Sequence, residues 1–330
     1  MDRPTPPRHD VTPDELRARF DGLRQWRAGG KRAPHKPLFL LWALARFAEG
    51  TDRFPFNGVE GPLLRLLSDF GPSRTNHRPF PFWRLPNDGV WEIDGAENVS
   101  RSASGDMSLR DAREQDPVGR FPAEMVHVLR QRPGMVGELA VALLDAHFPP
   151  TIHQDILDAV GLDLDELDAD DDAPPPARKR RRRDPAFRSN VLRAYGYRCA
   201  VCAFETRVGS TLVGVDAAHV RWHQAGGSAV DEVTNGVALC ALHHRLLDRG
   251  AFTLSLAQDT EPIVQVAEEA HGGEGFQRWL LAFHGQPIAA PTRAEYRIAE
   301  PSLAWHRREV FQGPARGSCT SAGAAGLTRA

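Results

Sequence analysis

Two ligand pairs of equal spacing, Cys199-x-x-Cys202 and Cys240-x-x-His243, have His219, Asn235 and His244 placed between and beside them. Zinc prefers tetrahedral sulfur and nitrogen donors, commonly as two close-spaced pairs on two different turns. Cys199, Cys202, Cys240 and His243 therefore read as a structural zinc knuckle. His244 could replace His243 as the fourth ligand, and His223 is a weaker candidate. Adjacent side chains on a helix point about 100° apart, so one histidine can face the zinc while the other faces a different cavity. Buried thiols or a redox pair are the plainer reading of Cys199 and Cys202, but neither needs a second pair at matching spacing.

His219, Asn235 and His244 carry a different chemistry, that of cutting a phosphodiester. The reaction needs an activated water, a divalent cation against the non-bridging oxygen and leaving group, and something to hold the base in place. His219 is the natural general base, because neutral imidazole accepts a proton near pH 7. His244 is the natural ligand of a catalytic Mg²⁺ or Mn²⁺, with Asp216 as a carboxylate partner. Asn235, a neutral amide, can pin the loop and orient His219. Since zinc ligands and catalytic groups alternate along the chain, folding the knuckle would also assemble the cutting site.

The elements that must position these groups follow from local pattern. A helix is predicted over 187–195, just ahead of the first cysteine pair. The β-branched run 211–215 reads as a strand delivering Asp216 and His219. A Gly-rich polar loop follows over 224–233, and Asn235-Gly236 then leads into a helix predicted over 237–247, stopped by Asp248-Arg249-Gly250. Strand, loop and helix would bring His219, Asn235 and His244 together. Beyond them, 251–256 and 262–266 alternate like a strand pair. Tyr296 and the run from Trp305 to Phe311 read as a last packed segment.

With these residues in view, the segment resembles the HNH (ββα-metal) endonucleases of the zinc-stabilised, McrA-like kind. Cys199-x-x-Cys202, Asp216-Ala-Ala-His219, Asn235-Gly-x-x-Leu-Cys240 and His243-His-Arg-x-x-Asp248-x-Gly250 carry the resemblance. It implies that His219 is the general base, Asn235 a supporting residue and His244 the ligand of the catalytic metal. Two departures stand out. The family's second zinc pair is more often two cysteines followed by histidine, whereas His243 takes the second cysteine's position here. Many relatives also carry an acid directly before the first histidine, where this chain has Ala218. A zinc-ribbon binding module without catalysis is the alternative, but a pure binder has no need of the His–Asn–His set.

Composition bounds the rest. At 330 residues and 41% hydrophobic content the chain can form two globular domains, and its net charge of −2 supplies no global basic field. The charge is segregated instead. Seven acids occur among the ten residues from Asp163 to Asp172, then Pro174-Pro-Pro176, then the six cations from Arg178 to Arg183. Such blocks mark a solvated linker, whose basic half either grips DNA phosphates or serves as a tether with mutually screening ends. Of four cysteines, three belong to the knuckle and Cys319 lies in a small-residue tail, so no disulfide framework exists. With no secretory signal seen, a reducing cytoplasm is the expected compartment. The run 38–47 is too short for a membrane span and contains Arg46, so it reads as a buried helix.

The N-terminal part is cysteine-free and mixed in its patterns. Thr12-Pro-Asp-Glu15 opens a helix with a capping box, a second helix is predicted over 37–49 and a third over 62–70. A polar, basic loop spans 71–79. Residues 82–85 and 90–93 flank Pro86-Asn-Asp-Gly89 as a predicted hairpin. Helices over 122–130 and 136–148 close the domain. Ala33-Pro-His-Lys-Pro37, Phe70-Gly-Pro-Ser-Arg74, His77-x-Pro79, Pro81-Phe-Trp-x-Leu85 and Leu143-Leu-Asp-Ala-His-Phe148-Pro resemble the sulfur-binding domain found fused to HNH nucleases. That resemblance implies recognition of phosphorothioated DNA, in which sulfur replaces a non-bridging backbone oxygen. Sulfur is larger, softer and a poorer hydrogen-bond acceptor, so a shallow wall of Phe70, Gly71 and Pro72 would favour it. Ser73 belongs to the same loop, Arg32, Lys36 and Arg74 would clamp phosphates, and His35 and His77 could donate to phosphate or bases. His35 and Pro37 as mere helix-starting residues are the plainer reading.

The expectation is an α+β protein: a sulfur-binding DNA-reader domain over 1–162, a charged linker over 163–184, a zinc-containing ββα-metal nuclease domain over 185–312 and a disordered tail over 313–330. The resemblances imply a type IV-like restriction endonuclease of the bacterial cytoplasm, nucleoid-associated, acting on phosphorothioated double-stranded DNA. One HNH module cuts one strand, so a double-strand break implies two copies, as in a homodimer. Two alternatives stay open. One is a reader of methylated or hydroxymethylated bases, with Trp83 and Trp91 as the hints of an aromatic cage. The other is a DNA-binding regulator with a degenerate nuclease domain.

Overall fold

In the computed structural model, which describes residues 11–23, 34–72, 78–102, 105–164, 167, 185–225, 230–256 and 261–317, the chain divides into two units, Met1–Arg182 and Arg183–Ala330. The first unit opens with a reciprocal cap. Glu15 N–H donates to Thr12 Oγ1 at 3.2 Å, and Thr12 N–H donates to the Glu15 carboxylate at 2.8 Å. This starts helix α1 (Pro13–Asp21), which buries Leu16 and Phe20. Helix α2 (His35–Ala48) is apolar almost all round and runs through the core, with nine buried side chains. Strand β1 (Phe54–Pro55) leads into α3 (Phe56–Phe70), followed by α4 (Phe80–Arg84), β2 (Glu92–Asp94), α5 (Leu109–Gln115), β3 (Val118–Arg120), α6 (Ala123–Gln131), α7 (Gly134–His147) and α8 (His153–Val160). The three strands form one antiparallel sheet in the order β1-β3-β2. An aromatic cluster ties α2 to that sheet, with Phe39, Phe54 and Phe121 ring centroids 4.9–5.4 Å from Trp91. Among the described residues no helix is long and apolar enough to cross a membrane.

Two expectations for this unit are corrected. The predicted hairpin is instead α4, a 3₁₀ turn over Leu85–Asp88 and a strand that pairs elsewhere. Pro81 and Pro86 each lie in the first turn of a helical segment, where a missing amide costs nothing. The strand next to Trp91 finds its partner far along the chain, pairing Glu92 with Arg120 and Asp94 with Val118. Helix α3 starts at Phe56, ahead of Pro62, because Phe56 and Val59 bury their side chains before the proline is reached.

The second unit begins with α9 (Pro185–Ala194), then β4 (Arg207–Val208), β5 (Thr211–Leu212), β6 (Val215–His219), β7 (Gly236–Cys240), α10 (Ala241–Asp248), β8 (Phe252–Ser255), β9 (Ile263–Val266), α11 (Glu274–Trp279) and α12 (Glu300–Glu309). Its centre is the antiparallel pair β6–β7, in register from Val215 opposite Cys240 to His219 opposite Gly236, followed at once by α10. Helix α9 packs on both strands and α10 on both as well. That sandwiching explains a misreading. Residues 237–240 were expected to be helical, yet all five residues of β7 are buried, and a strand covered on both faces shows no alternation. The single predicted strand at 211–215 is split by Gly214, whose φ of 77° turns β5 away from β6. The predicted pair 251–256 and 262–266 forms as β8–β9. Residues 313–317, placed in the tail from the sequence, fold back on this unit. Glu268 N–H donates to Pro314 C=O and Arg316 N–H to Val266 C=O, both at 2.9 Å. Residues 318–330, including Cys319, lie outside the described residues, as does most of 163–184.

Candidate active site and metal centre

Cys199 and Cys202 lie on the turn after α9, Cys240 ends β7 and His243 lies in the first turn of α10. Their four donor atoms fall within 4.8 Å of one another, the only such group among the described residues. A tetrahedral ion bound through metal–sulfur bonds of about 2.3 Å sets sulfur–sulfur edges of about 3.8 Å. The separations here are 3.9 Å from Cys202 Sγ to Cys240 Sγ, 3.7 Å from Cys199 Sγ to His243 Nδ1, and 3.2 Å from Cys240 Sγ to the same nitrogen. The set fits a metal ion. His243 Nε2–H donates to Trp279 C=O at 2.8 Å, which leaves Nδ1 as the ligand nitrogen and fixes the ring. Burial opposes charge on His243, but the facing sulfurs of Cys199 and Cys240 outweigh it and raise its pKa to about 9. The thiols share protons unevenly: hydrogen bonding to Cys199 and then to its other sulfur neighbour pushes Cys202 up and pulls Cys240 down. Of the two adjacent histidines, His243 belongs to this centre.

His244 points elsewhere on α10. Its Nε2 lies 3.4 Å from Asp248 Oδ2, one turn on and buried. A histidine held through one nitrogen by a carboxylate can offer the other to a cation. Asp248 belongs to the motif and the helix stop read from the sequence, but its role as the partner of His244, at i,i+4 spacing, is seen only here.

His219 is the last residue of β6 and is 8% exposed. Its ring stacks on Phe187 of α9, with centroids 3.9 Å apart and planes 11° from parallel. His219 Nε2 lies 2.9 Å from Asp231 Oδ1, and His223 Nε2 lies 3.5 Å from Asp231 Oδ2. Neither Phe187 nor Asp231 carried any local sequence signal, since both reach His219 through tertiary contact.

Asn235 is buried at the end of the loop that joins β6 to β7. Its Oδ1 accepts from Arg221 N–H at 2.9 Å, and its Nδ2 donates to Arg221 C=O at 2.9 Å and to Val230 C=O at 2.8 Å. The amide thus cross-links both flanks of the loop. A carboxamide alone supplies this mix of acceptor and two donors.

Asp216 faces a different way. Side chains alternate along a strand, so Asp216 and His219, three residues apart on β6, point to opposite faces. The Asp216 carboxylate accepts from Arg188 Nε at 2.7 Å and from Ala217 N–H at 2.9 Å. It is engaged with Arg188 of α9.

In the first unit, Phe70 ends α3 and Gly71 and Pro72 follow it, all three buried. His35 is half-buried in the first turn of α2. Lys36 Nζ lies 2.5 Å from Asp88, whose side chain is 1% exposed, a structural ion pair that no local pattern announced. Arg32, Ser73, Arg74 and His77 lie outside the described residues. Trp83 and Trp91 are core residues whose indole N–H groups are buried without a hydrogen-bond partner, so the hint of an aromatic cage at these positions is withdrawn.

A two-stranded antiparallel pair followed by a helix, carrying His219, Asn235 and His244 beside a Cys₃His centre, defines the second unit as a ββα-metal nuclease fold. Residues 199–255 match the HNH endonuclease family, and residues 13–165 match the ScoMcrA-like DNA sulfur-binding domain family. The chain thus joins a ScoMcrA-like DNA sulfur-binding domain to an HNH endonuclease domain. Among solved structures, that of the Type IV phosphorothioation-dependent restriction endonuclease ScoMcrA is similar over 46% of this chain and 33% of that one, at 22% identity and a TM-score of 0.39. The sulfur binding domain of SprMcrA complexed with phosphorothioated DNA is similar over 47% of this chain and 96% of that one, at 26% identity and a TM-score of 0.40. The chain therefore spans about a third of the ScoMcrA structure's length. No curated protein matches it.

Proposed function

We propose that the protein is a modification-dependent, type IV-like restriction endonuclease. Its first unit binds phosphorothioated double-stranded DNA, and its HNH unit hydrolyses phosphodiester bonds nearby. The observation that carries this reading is the presence in one chain of a DNA sulfur-binding domain and an intact His219–Asn235–His244 set on a ββα scaffold. The Cys₃His centre holds structural Zn²⁺, for which its donor types and spacings are suited. A separate Mg²⁺ or Mn²⁺ at His244 supplies positive charge against the phosphate when bound.

The protein's own groups do the rest. His219 takes a proton from water, the water oxygen bonds to phosphorus, one ester P–O bond breaks, and the leaving oxygen takes a proton from solvent. Asn235 holds the loop that carries the base's surroundings. Phe70, Gly71 and Pro72 support an apolar wall for sulfur, and the cations and histidines Arg32, His35, Arg74 and His77 contact the backbone or bases. Action on DNA places the work in the cytoplasm, at the nucleoid. Two copies, as in a homodimer, supply the two cuts of a double-strand break.

The test is a matched pair of duplexes, identical except for one phosphorothioate linkage of defined stereochemistry. Binding is measured without added divalent cation and cutting with Mn²⁺ or Mg²⁺, beside His219→Ala. Selective binding by both proteins with cutting only by the wild type is the expected result. Equal binding to both duplexes across several sequence contexts removes the sulfur reading and leaves an HNH nuclease with another reader.

A further inference from the structure

We propose that Asp231 is a positioning residue for His219, fixing which ring nitrogen accepts the proton from water. The inference rests on the reading of His219 as the general base. A carboxylate only accepts hydrogen bonds, so its 2.9 Å contact with His219 Nε2 places the ring proton on Nε2. The neutral imidazole then has its lone pair on Nδ1, and Nδ1 is the atom that takes the proton. When it does, the half-buried Asp231 carboxylate faces the resulting imidazolium and stabilises it.

Three further observations show that this contact is built. The ring plane of His219 is set by Phe187, stacked at 3.9 Å, so the ring turns only at the expense of that stack. Asp231 is anchored through its neighbour, because Val230 C=O accepts from Asn235 Nδ2 at 2.8 Å. Asn235 N–H also donates to Glu232 C=O at 2.9 Å, holding the other side of Asp231. Asn235 thus acts on His219 at one remove, through the loop that presents the carboxylate. Among the described residues, His223 Nε2, 3.5 Å from the second carboxylate oxygen, is a second titratable group facing Asp231.

The experiment uses the full chain with histidine labelled with ¹⁵N in the imidazole. Ring ¹⁵N shifts report the tautomer, and His219→Ala identifies the His219 signals. The wild type is expected to show the Nε2–H form. Asp231→Asn should shift it toward Nδ1–H, because an amide can donate to Nε2. The same variant should slow single-turnover nicking by about 10²-fold or more, with DNA Kd and zinc content unchanged. The acid limb of its pH–rate profile should move to lower pH, and Asp231→Glu should recover part of the rate. An Nδ1–H tautomer in the wild type overturns the proposal, whether or not any variant folds. So does an Asp231→Asn rate within about threefold of wild type. If His219→Ala itself cuts normally, the general-base reading falls, while the tautomer measurement still decides whether Asp231 holds the ring.

Discussion

At the scale of residues, the second unit depends on a few polar side chains that have no interchangeable substitute. Asn235 makes three side-chain hydrogen bonds across one loop, two as donor and one as acceptor. Asn235→Asp keeps the shape but loses both donors and turns a carboxylate toward the Arg221 and Val230 carbonyls. We expect a loss of about 1–3 kcal/mol, the cost of stranding buried polar groups, read from chemical denaturation of the metal-loaded protein. His243 makes a prediction with a sign. Without metal its pKa is raised from 6.5 to about 9, so the stability it contributes is full below about pH 6.5 and is lost as pH rises through about 9. Metal binding runs the other way, because the ion must displace that proton and those of the thiols. Thermal melts should therefore show chelated protein losing stability from about pH 7 to about 9.5, and metal affinity falling as pH drops from about 7 to about 5. A separate outcome distinguishes the neighbours. His244→Ala should abolish cutting while zinc per chain stays at the wild-type level, whereas Cys202→Ser should lose the zinc.

At the scale of elements, β6, β7 and α10 work because α9 lies close against them. Gly236 is where this closeness is strictest. A Cβ there would lie 2.3 Å from Val191 Cγ2 and 3.1 Å from the Phe187 ring. Gly236→Ala should cost about 1–3 kcal/mol by overpacking. It should also lower the nicking rate, because the displaced Phe187 is the ring on which His219 stacks. Assaying rate and denaturation together separates that coupling from simple destabilisation: a variant slowed under conditions where it is fully folded shows the stack at work. Gly250 closes α10 at a φ of 71°, and a Cβ there would lie 2.1 Å from Val310 C=O, so the glycine at the end of the His-His-Arg pattern is needed both for its turn and for its neighbour.

At the scale of the molecule, two units with separate cores are joined by a chain of segregated charge. A zinc chelator should lower the melting temperature of Arg183–Ala330 and leave the transition of Met1–Arg182 unchanged, because the ligands all belong to the second unit. Hydrogen exchange followed unit by unit checks this, and a joint loss of protection would show that the units fold together. If the six cations from Arg178 to Arg183 grip DNA, replacing them with serine should flatten the salt dependence of binding. Every phosphate that is no longer neutralised should take about 0.9 off the slope of log K against log salt.

How far the chemistry could be read before folding differs between groups. Ligand pairs and the His–Asn–His order were legible because metal and proton chemistry restrict residue type and short spacing, and these are properties of the chain itself. Helices with a cap or a long apolar run, such as α1 and α2, were legible for the same local reason. Other features became visible only in the folded protein. Strand β7 looked helical because burial on both faces erases alternation, and the hairpin at Pro86 gave way to a better strand partner around Gly119. Asp216, three residues before His219 in sequence, faces Arg188, while Asp231 reaches His219 across a loop. Residue type and spacing thus determined what chemistry this chain carries. Which nitrogen faces which carboxylate was decided by tertiary packing, because hydrogen-bond direction depends on distances between segments that no local pattern encodes.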